Sequence, residues 1–284
     1  MCGITARVGR GPAIGELLSG LRNPEYRGYD SAGVATVTPD GIDVVKHEGE
    51  IDVLCDAIDQ ASVRGSTGIG HTRWSTHGPP TDANAHPHTD CTGRVAVVHN
   101  GIIDNYAELK NDLSAHEFTS ETDTEVVPHL LEEFLSAGYT PEEAFRRTID
   151  RLSGSYAIAA VFEGSDTVFG TRSGSPLVLG RDDDAYYLAS DVPAFLEYTN
   201  EVIYLRDGDV VEMRPDGYAI TDTDGEPVER SIERVDWDPN DAGKGGYDHY
   251  MLKEIHEQPA ALRQTIRGRM DPVEGRVEFE ELPE

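Results

Sequence analysis

The apolar positions of this chain follow two rhythms, and the rhythm changes partway along. Residues 3–8 read as a buried strand, and Ile14, Leu17, Leu18 and Leu21 recur at helical spacing after the Gly11-Pro12 turn. Runs at 32–37 and 44–47 flank Pro39-Asp40-Gly41 and predict a strand pair. Residues 51–58 predict a short amphipathic helix, 67–74 a strand, and 75–93 a polar loop rich in Gly, Pro, Thr and His. A loop that long inside a compact domain is usually functional or disordered. Residues 95–99 predict a buried strand ending at Asn100-Gly101. Helices are predicted over 104–113, capped by Asp104, and over 126–135. Thr140, Pro141, Glu142 and Glu143 have the order of a helix start, and that helix is predicted to reach about 152.

After that the period becomes two. Short strands are predicted at 156–162, 167–171, 177–180, 185–189, 202–205, 210–214 and 218–221, with a short helix at 191–198. Strands, then helices, then strands predict an α+β fold of two mainly antiparallel sheets with helices on the outer faces. Residues 238–246 have linker composition, and 247–267 read as a helix with apolar Met251, Leu252, Ile255, Leu262 and Ile266 around Pro259. Residues 274–284 are acidic and thin. The division expected is a domain over 1–237, a linker over 238–246, and over 247–284 a docking helix or the start of a further domain.

Charge changes the picture more than composition does. Of 284 residues, 38% are hydrophobic, enough for a packed core, yet Lys and Arg number 24 against 53 Asp and Glu, a net charge of −29. Self-repulsion of that size is relieved by salt, which points to a salt-rich cytoplasm. With no basic footprint to neutralise phosphates, nucleic-acid binding is excluded. No apolar run approaches the ~20 residues that cross a bilayer, and no secretory signal is visible, so a cytoplasmic protein without a membrane span is expected. The three cysteines, Cys2, Cys55 and Cys91, show neither a disulfide framework nor metal-ligand spacing. No cofactor and no metal are expected; Cys55 reads as core and Cys91 as incidental. His71, His77, His86, His88 and His99 also lack zinc-ligand spacing and read as residues that fix loops.

Cys2 directly follows Met1. Once Met1 is removed, one residue carries both a thiol and an α-amine whose unperturbed pKa is about 7.7–8.0, so the amine can accept the thiol proton near neutrality. Three other stretches carry unusual residues. In His71-Thr72-Arg73-Trp74-Ser75-Thr76-His77-Gly78, Arg73 could clamp a carboxylate, with Thr76 and His77 as further donors, or could simply cap a sheet end. In His99-Asn100-Gly101, the Asn amide and Gly N–H could converge as oxyanion donors or form an ordinary Asn-Gly turn. The acidic run Glu121-Thr122-Asp123-Thr124-Glu125 could hold an ammonium or compensate a helix dipole.

Taken together, an N-terminal thiol, a carboxylate clamp, a carboxylate for an ammonium and an oxyanion hole describe amide hydrolysis of a free amino acid. The combination resembles the class II glutamine amidotransferases, which are N-terminal-nucleophile hydrolases, and within them the glutaminase part of the isomerising glutamine–fructose-6-phosphate aminotransferases. The matching stretches run colinearly. They are Cys2-Gly3-Ile4, residues 26–33, 71–78, 84–88, 99–102, 120–126 and 172–177, and Lys253-Glu254-Ile255-His256-Glu257-Gln258-Pro259. Amidophosphoribosyltransferases and asparagine synthetases fit less well at Tyr26-Arg27-Gly28-Tyr29-Asp30 and Arg73-Trp74-Ser75-Thr76.

The resemblance implies a four-layer α-β-β-α sandwich and L-glutamine as substrate. It implies Cys2 as nucleophile, forming a thioester, and Asn100 and Gly101 as oxyanion donors. Arg73 and Asp123 are implied as the partners of the substrate carboxylate and ammonium, with Thr76 and His77 in the same pocket. Arg27 is implied to position the Cys2 segment and Trp74 to lie beside the ammonia exit. It also implies sugar-isomerase domains or a subunit, with a fructose 6-phosphate site, beyond these residues. A glutaminase for another acceptor, such as phosphoribosyl diphosphate, and a non-catalytic glutamine-sensing module are the alternative readings.

Overall fold

The computed structural model describes residues 2–23, 28–61, 63–236, 251–253, 255–259, 270–271 and 276–277. The chain divides into two compact units, Met1–Asp236 and Trp237–Glu284. In chain order the first unit contains β1 (Gly3–Gly9), α1 (Ile14–Arg22), β2 (Ser31–Thr38), β3 (Gly41–Glu48), α2 (Ile51–Ala61), β4 (Thr67–Arg73), β5 (His88–Thr89) and β6 (Val95–Ile103). There follow α3 (Tyr106–Asp112), α4 (Val126–Ser136), α5 (Pro141–Arg151), β7 (Gly154–Phe162), β8 (Val168–Ser173), β9 (Val178–Arg181), β10 (Ala185–Ala189), β11 (Glu201–Tyr204), β12 (Val210–Arg214), β13 (Gly217–Thr221) and β14 (Glu233–Arg234).

Two antiparallel sheets result. One has the strand order β14-β11-β9-β10-β1-β4-β2-β3, the other β13-β12-β8-β7-β6-β5. Side-chain alternation along the strands decides what each face meets. On β6, Ala96 and Val98 point into the layer between the sheets, where they join Ile4, Ala6, Ile69, Ala157 and Ala159. Val95 and Val97 point the other way, into a second core built with Leu109, Leu130, Leu131 and Phe145 from α3, α4 and α5. On the far side of the first sheet, Ala32 and Val34 are covered by Leu17, Leu21, Leu54 and Ile58 from α1 and α2. The architecture is therefore the expected α+β sandwich of four layers, helix, sheet, sheet, helix. Both faces of the central strands are dry, which is why β6 reads as an unbroken apolar run. Each large apolar side chain so buried contributes about 1.5–3 kcal/mol.

Most predicted elements are present, and the exceptions have physical causes. The start of α5 is the capping box that its sequence announces: Glu143 N–H donates to Thr140 Oγ1 (3.3 Å), and Thr140 N–H donates to Glu143 Oε2 (2.9 Å). β6 does not stop at His99. It continues through Asn100 and Gly101 to Ile103, with Asn100 opposite Ala157 and Gly101 opposite Tyr156 on β7. The strand can continue because Gly101 takes a φ of +119°; a Cβ there would lie 1.9 Å from the Ser155 carbonyl oxygen. α3 begins at Tyr106, not Asp104, and its N-cap Asn105 spends its side chain elsewhere: Nδ2 donates to Arg151 O (2.8 Å) and Oδ1 accepts from Ser153 N–H (3.0 Å). Of the helix expected over 191–198 only a 3-10 turn, Val192–Ala194, forms.

The 75–93 segment is a loop interrupted by β5 and tied to β3. Lys46 Nζ donates to the carbonyls of Ala83 (3.2 Å) and Ala85 (2.7 Å), and Glu48 N–H donates to Asp82 Oδ1 (2.7 Å). Cys55 is half-buried at the margin of the α1–α2 core rather than inside it. In the second unit, residues 251–253 and 255–259 are helical, within the helix expected over 247–267. The linker expected at 238–246 lies outside the described residues. Among the described residues no helix is long and apolar enough to cross a membrane.

Candidate active site

The C-terminal end of β4, the start of β1 and the 119–125 segment meet at a cleft of about 280 Å³, counting the space at its open mouth. Cys2, Arg73, Trp74, Thr76, His77, Gly101 and Asp123, all singled out from the sequence, line it. Asn100 does not; its Nδ2 donates to the Cys2 carbonyl at 2.9 Å. Arg27 lies outside the described residues.

Cys2 immediately precedes β1, and the pairing of Gly3 with Thr72 sets its thiol beside the turn that leaves β4. Trp74 N–H donates to Cys2 Sγ at 3.2 Å. Burial pushes the Cys2 thiol above its ordinary value, and the Trp74 N–H and the Arg73 charge work against that rise. A thiol held in its protonated form needs a base to become a nucleophile.

Arg73 is buried, and its guanidinium gathers the loop that follows it. Nη1 donates to Ser75 Oγ (3.0 Å) and Pro79 O (3.4 Å), and Nη2 donates to the His77 carbonyl and to Gly78 O (3.3 Å). This is more than a sheet-end cap: a planar fork of donors shapes the wall on which Thr76 and His77 sit. Asp30 braces the same turn from outside the cleft, its N–H donating to Arg73 O (2.9 Å) and its Oδ2 accepting from Ser75 N–H (2.6 Å).

The acidic segment does not cap α4. Glu125 turns back to accept from Thr119 N–H (2.7 Å) and Ser120 N–H (2.7 Å) and from both hydroxyls. Asp123 accepts from Ile103 N–H at 2.8 Å, which fixes its carboxylate at the end of β6. Asn84 joins this segment to the long loop, accepting from Glu121 N–H (2.9 Å) and donating to Pro79 O (2.9 Å).

Three buried histidines, His71, His86 and His99, line the cleft, with His88 packed against His86, and the bonds of His86 and His99 define their tautomers. His99 N–H donates to His86 Nδ1 (3.3 Å), so neutral His86 carries its proton on Nε2 and donates to Thr124 Oγ1 (3.3 Å). The Thr124 hydroxyl then donates to His99 Nδ1 (2.8 Å). His88 Nε2 meets Thr122 Oγ1 at 3.0 Å, and His71 stacks on His86 with ring centroids 4.2 Å apart. Burial drives His71 down to about 3 and His99 to about 4, and holds His86 and His88 well below the ordinary range. They are neutral, which fits loop-fixing residues.

Three participants were missed in the sequence: Thr122 and Thr124 in the cleft wall, and Asp30 behind the Arg73 turn. The hydroxyls carry no sequence signal of their own. Asp30 does, as the last residue of Tyr26-Arg27-Gly28-Tyr29-Asp30.

Residues 71–197 match the family described as a glutamine amidotransferase domain. The chain is 54% identical over 271 residues to a glutamine–fructose-6-phosphate aminotransferase (isomerizing) of Halobacterium salinarum, covering 95% of this chain and 44% of that protein. It is 51% identical over 281 residues to the protein of the same name from Thermus thermophilus, covering 98% and 46%. The chain thus spans less than half the length of these relatives. Among solved structures, the glutamine phosphoribosylpyrophosphate amidotransferase of B. subtilis superposes with a TM-score of 0.67 at 26% identity, over 78% of this chain and 49% of that one.

Proposed function

The chain belongs to the glutamine amidotransferase family, and from that premise we propose that it hydrolyses L-glutamine to glutamate and ammonia through a thioester on Cys2. The observation that carries this reading is the placement of the Cys2 thiol, the Arg73 guanidinium and the Asp123 carboxylate around one cleft. A free amino acid presents a carboxylate and an ammonium at one end and an amide at the other. Arg73 and Asp123 suit the first two and Cys2 the third. Thr76 and His77 complete the pocket wall, and Trp74 lies beside the path by which ammonia leaves. Arg27 is assigned the positioning of the Cys2 segment.

In the proposed reaction Met1 has been removed. The Cys2 α-amine takes the thiol proton as sulfur attacks the amide carbon, and the C=O electron pair moves onto oxygen. The oxyanion is received by Gly101 N–H and by Asn100 Nδ2. One Asn100 N–H already holds Cys2 O at 2.9 Å, and the amide has a second. Collapse expels ammonia with the proton returned from the amine, and water then cleaves the thioester to glutamate.

The relatives' names point to fructose 6-phosphate as the ammonia acceptor, with glucosamine 6-phosphate the product. The 44–46% coverage supports a sugar-isomerase part beyond this chain. We assign residues 1–237 to the glutaminase domain, 238–246 to a linker and 247–284 to a docking segment. Met251, Leu252 and Ile255 are exposed, as a segment awaiting a partner surface requires. The net charge of −29 supports a salt-rich cytoplasm. Structural likeness to a phosphoribosylpyrophosphate amidotransferase favours a second acceptor, but at 26% identity against 54% it is the weaker reading.

The test is incubation of protein lacking Met1, confirmed by intact mass, with glutamine. Glutamate release that disappears in Cys2→Ala supports the assignment; no release, or release unchanged by Cys2→Ala, overturns it.

A further inference from the structure

Cys91, read from the sequence as incidental, sits in a different environment from that expectation. It lies in the turn after β5, where three residues distant in sequence converge on it: His116 from the loop after α3, and His129 and Glu132, which share one face of α4 at a spacing of three. Cys91, His116, His129 and Glu132 each offer one ligand atom, and these atoms all lie within 4.8 Å of one another.

The separations are informative. Cys91 Sγ is 3.6 Å from His116 Nδ1 and 3.6 Å from His129 Nδ1. Glu132 Oε2 is 3.5 Å from His129 Nδ1 and 2.9 Å from His116 Nδ1. A tetrahedral zinc ion with bonds of about 2.3 Å to sulfur and about 2.0–2.2 Å to nitrogen and oxygen spaces its ligands roughly 3.4–3.6 Å apart. Three of these four separations already have that length. The fourth, a hydrogen-bond distance, needs to open by roughly half an ångström.

The other sides of the two imidazoles carry a second signal. His116 Nε2 faces Glu133 Oε1 at 3.5 Å; His129 Nε2 lies 3.8 Å from Glu125 Oε1, near enough for charge but beyond a hydrogen bond. A carboxylate behind a metal-binding imidazole fixes its orientation and raises its basicity. The donor set of one sulfur, two nitrogens and one oxygen suits zinc, and its thiolate and carboxylate balance a dication; calcium and magnesium prefer all-oxygen shells. His116, His129 and Glu132 are largely withdrawn from water, while Cys91 is exposed and offers an entry path.

We propose that Cys91, His116, His129 and Glu132 bind a single structural zinc ion. Four protein ligands leave no open position, so the role is to join elements, not to catalyse. The ion would tie the turn after β5 and the loop after α3 to α4. It would thereby brace the 119–125 segment that carries Asp123.

The experiment uses untagged chain carrying Cys2→Ala, so that no active-site thiol competes. After chelation and dialysis, zinc is titrated calorimetrically in molar KCl and cobalt is titrated optically. One zinc per chain, a rise in Tm with zinc, and a tetrahedral cobalt spectrum with a thiolate charge-transfer band are expected. Cys91→Ser should abolish the thiolate band and the 1:1 binding, and Glu133→Gln should weaken binding by about 10-fold. Circular dichroism without metal shows whether each variant folds. Absence of saturable binding, or binding and cobalt spectra unchanged by Cys91→Ser, would overturn the proposal.

Discussion

His71 Nε2 lies 2.9 Å from Asn100 Oδ1, and this bond helps hold the Asn100 amide in one orientation. The Cys2 carbonyl can only accept, so the Asn100 amide nitrogen faces it and donates at 2.9 Å; the Asn100 oxygen then faces His71, whose neutral imidazole donates from Nε2. The orientation an oxyanion donor needs is thus held on its other side by a buried histidine on β4. Replacing His71 with Leu frees the amide to turn. Loss of a whole oxyanion donor costs about 10²–10³ in rate, so misorientation should lower kcat roughly 10-fold or more with KM little changed. His71→Gln, which keeps an N–H donor, should recover part of the loss. Wild-type kcat in the Leu variant would show that Asn100 is held by something else.

Arg73 holds the loop that follows it with a fork of donors that one substitution removes. Four loop acceptors share its guanidinium, and Lys cannot reproduce that fork with one ammonium. Hydrogen bonds to charged groups contribute about 1.5–3 kcal/mol, so Arg73→Lys should reduce kcat/KM for glutamine roughly 10- to 100-fold. Faster proteolytic nicking within 75–79 should accompany it. A fall of less than about two-fold would mean that the loop stands without the fork, since a kinetic change of that size is under about 0.5 kcal/mol.

Most helices and strands, and two sheets with helices outside them, are legible because periodicity reports burial, and β6 is buried on both faces; the four-layer sandwich is implied by the family resemblance. The colinear motifs by themselves point to the family. What stayed hidden depends on contacts between residues far apart in sequence. The end of β6 was misplaced because Asn-Gly usually marks a turn, whereas here the φ of +119° at Gly101 lets the strand run on to Ile103. The His71–Asn100 bond spans 29 positions, and Cys91 is 38 positions from His129. No local pattern announces either pair.

Acid should destabilise this fold sooner than its carboxylates alone predict. Burial lowers His71 to about 3 and His99 to about 4, while an unfolded histidine titrates near about 6.5. The folded values are depressed, so between those limits the unfolded chain binds more protons and stability rises with pH. The contribution is complete above about 6.5 and is lost as pH falls toward 4 and then 3. From pH 7.5 to 5, each histidine should cost about 2 kcal/mol. Urea midpoints at pH 7.5, 6 and 5 in constant KCl measure this. A flat profile above pH 5 would show that the buried histidine cluster accepts protons without opening.

With 24 cationic residues against 53 acidic ones, the few cations matter individually, and several are engaged within the fold. Arg7 is buried beside Glu16 and donates to Gly11 O and Ser66 O, Arg146 holds Asp222 O and Thr221, Arg230 grips Asp209, and Lys46 holds the 83–85 backbone. Cations so placed shape loops and do little to offset the surrounding excess of negative charge. Repulsion among those carboxylates acts over a Debye length of about 30 Å at 0.01 M salt, which shrinks to about 3 Å at 1 M. Unfolding midpoints should therefore climb steadily from low to molar KCl, by about 2–4 °C for each kcal/mol recovered. Choline chloride at equal ionic strength should reproduce the rise if screening is the cause. A midpoint that stays level or falls across that range would remove the case for a salt-adapted surface.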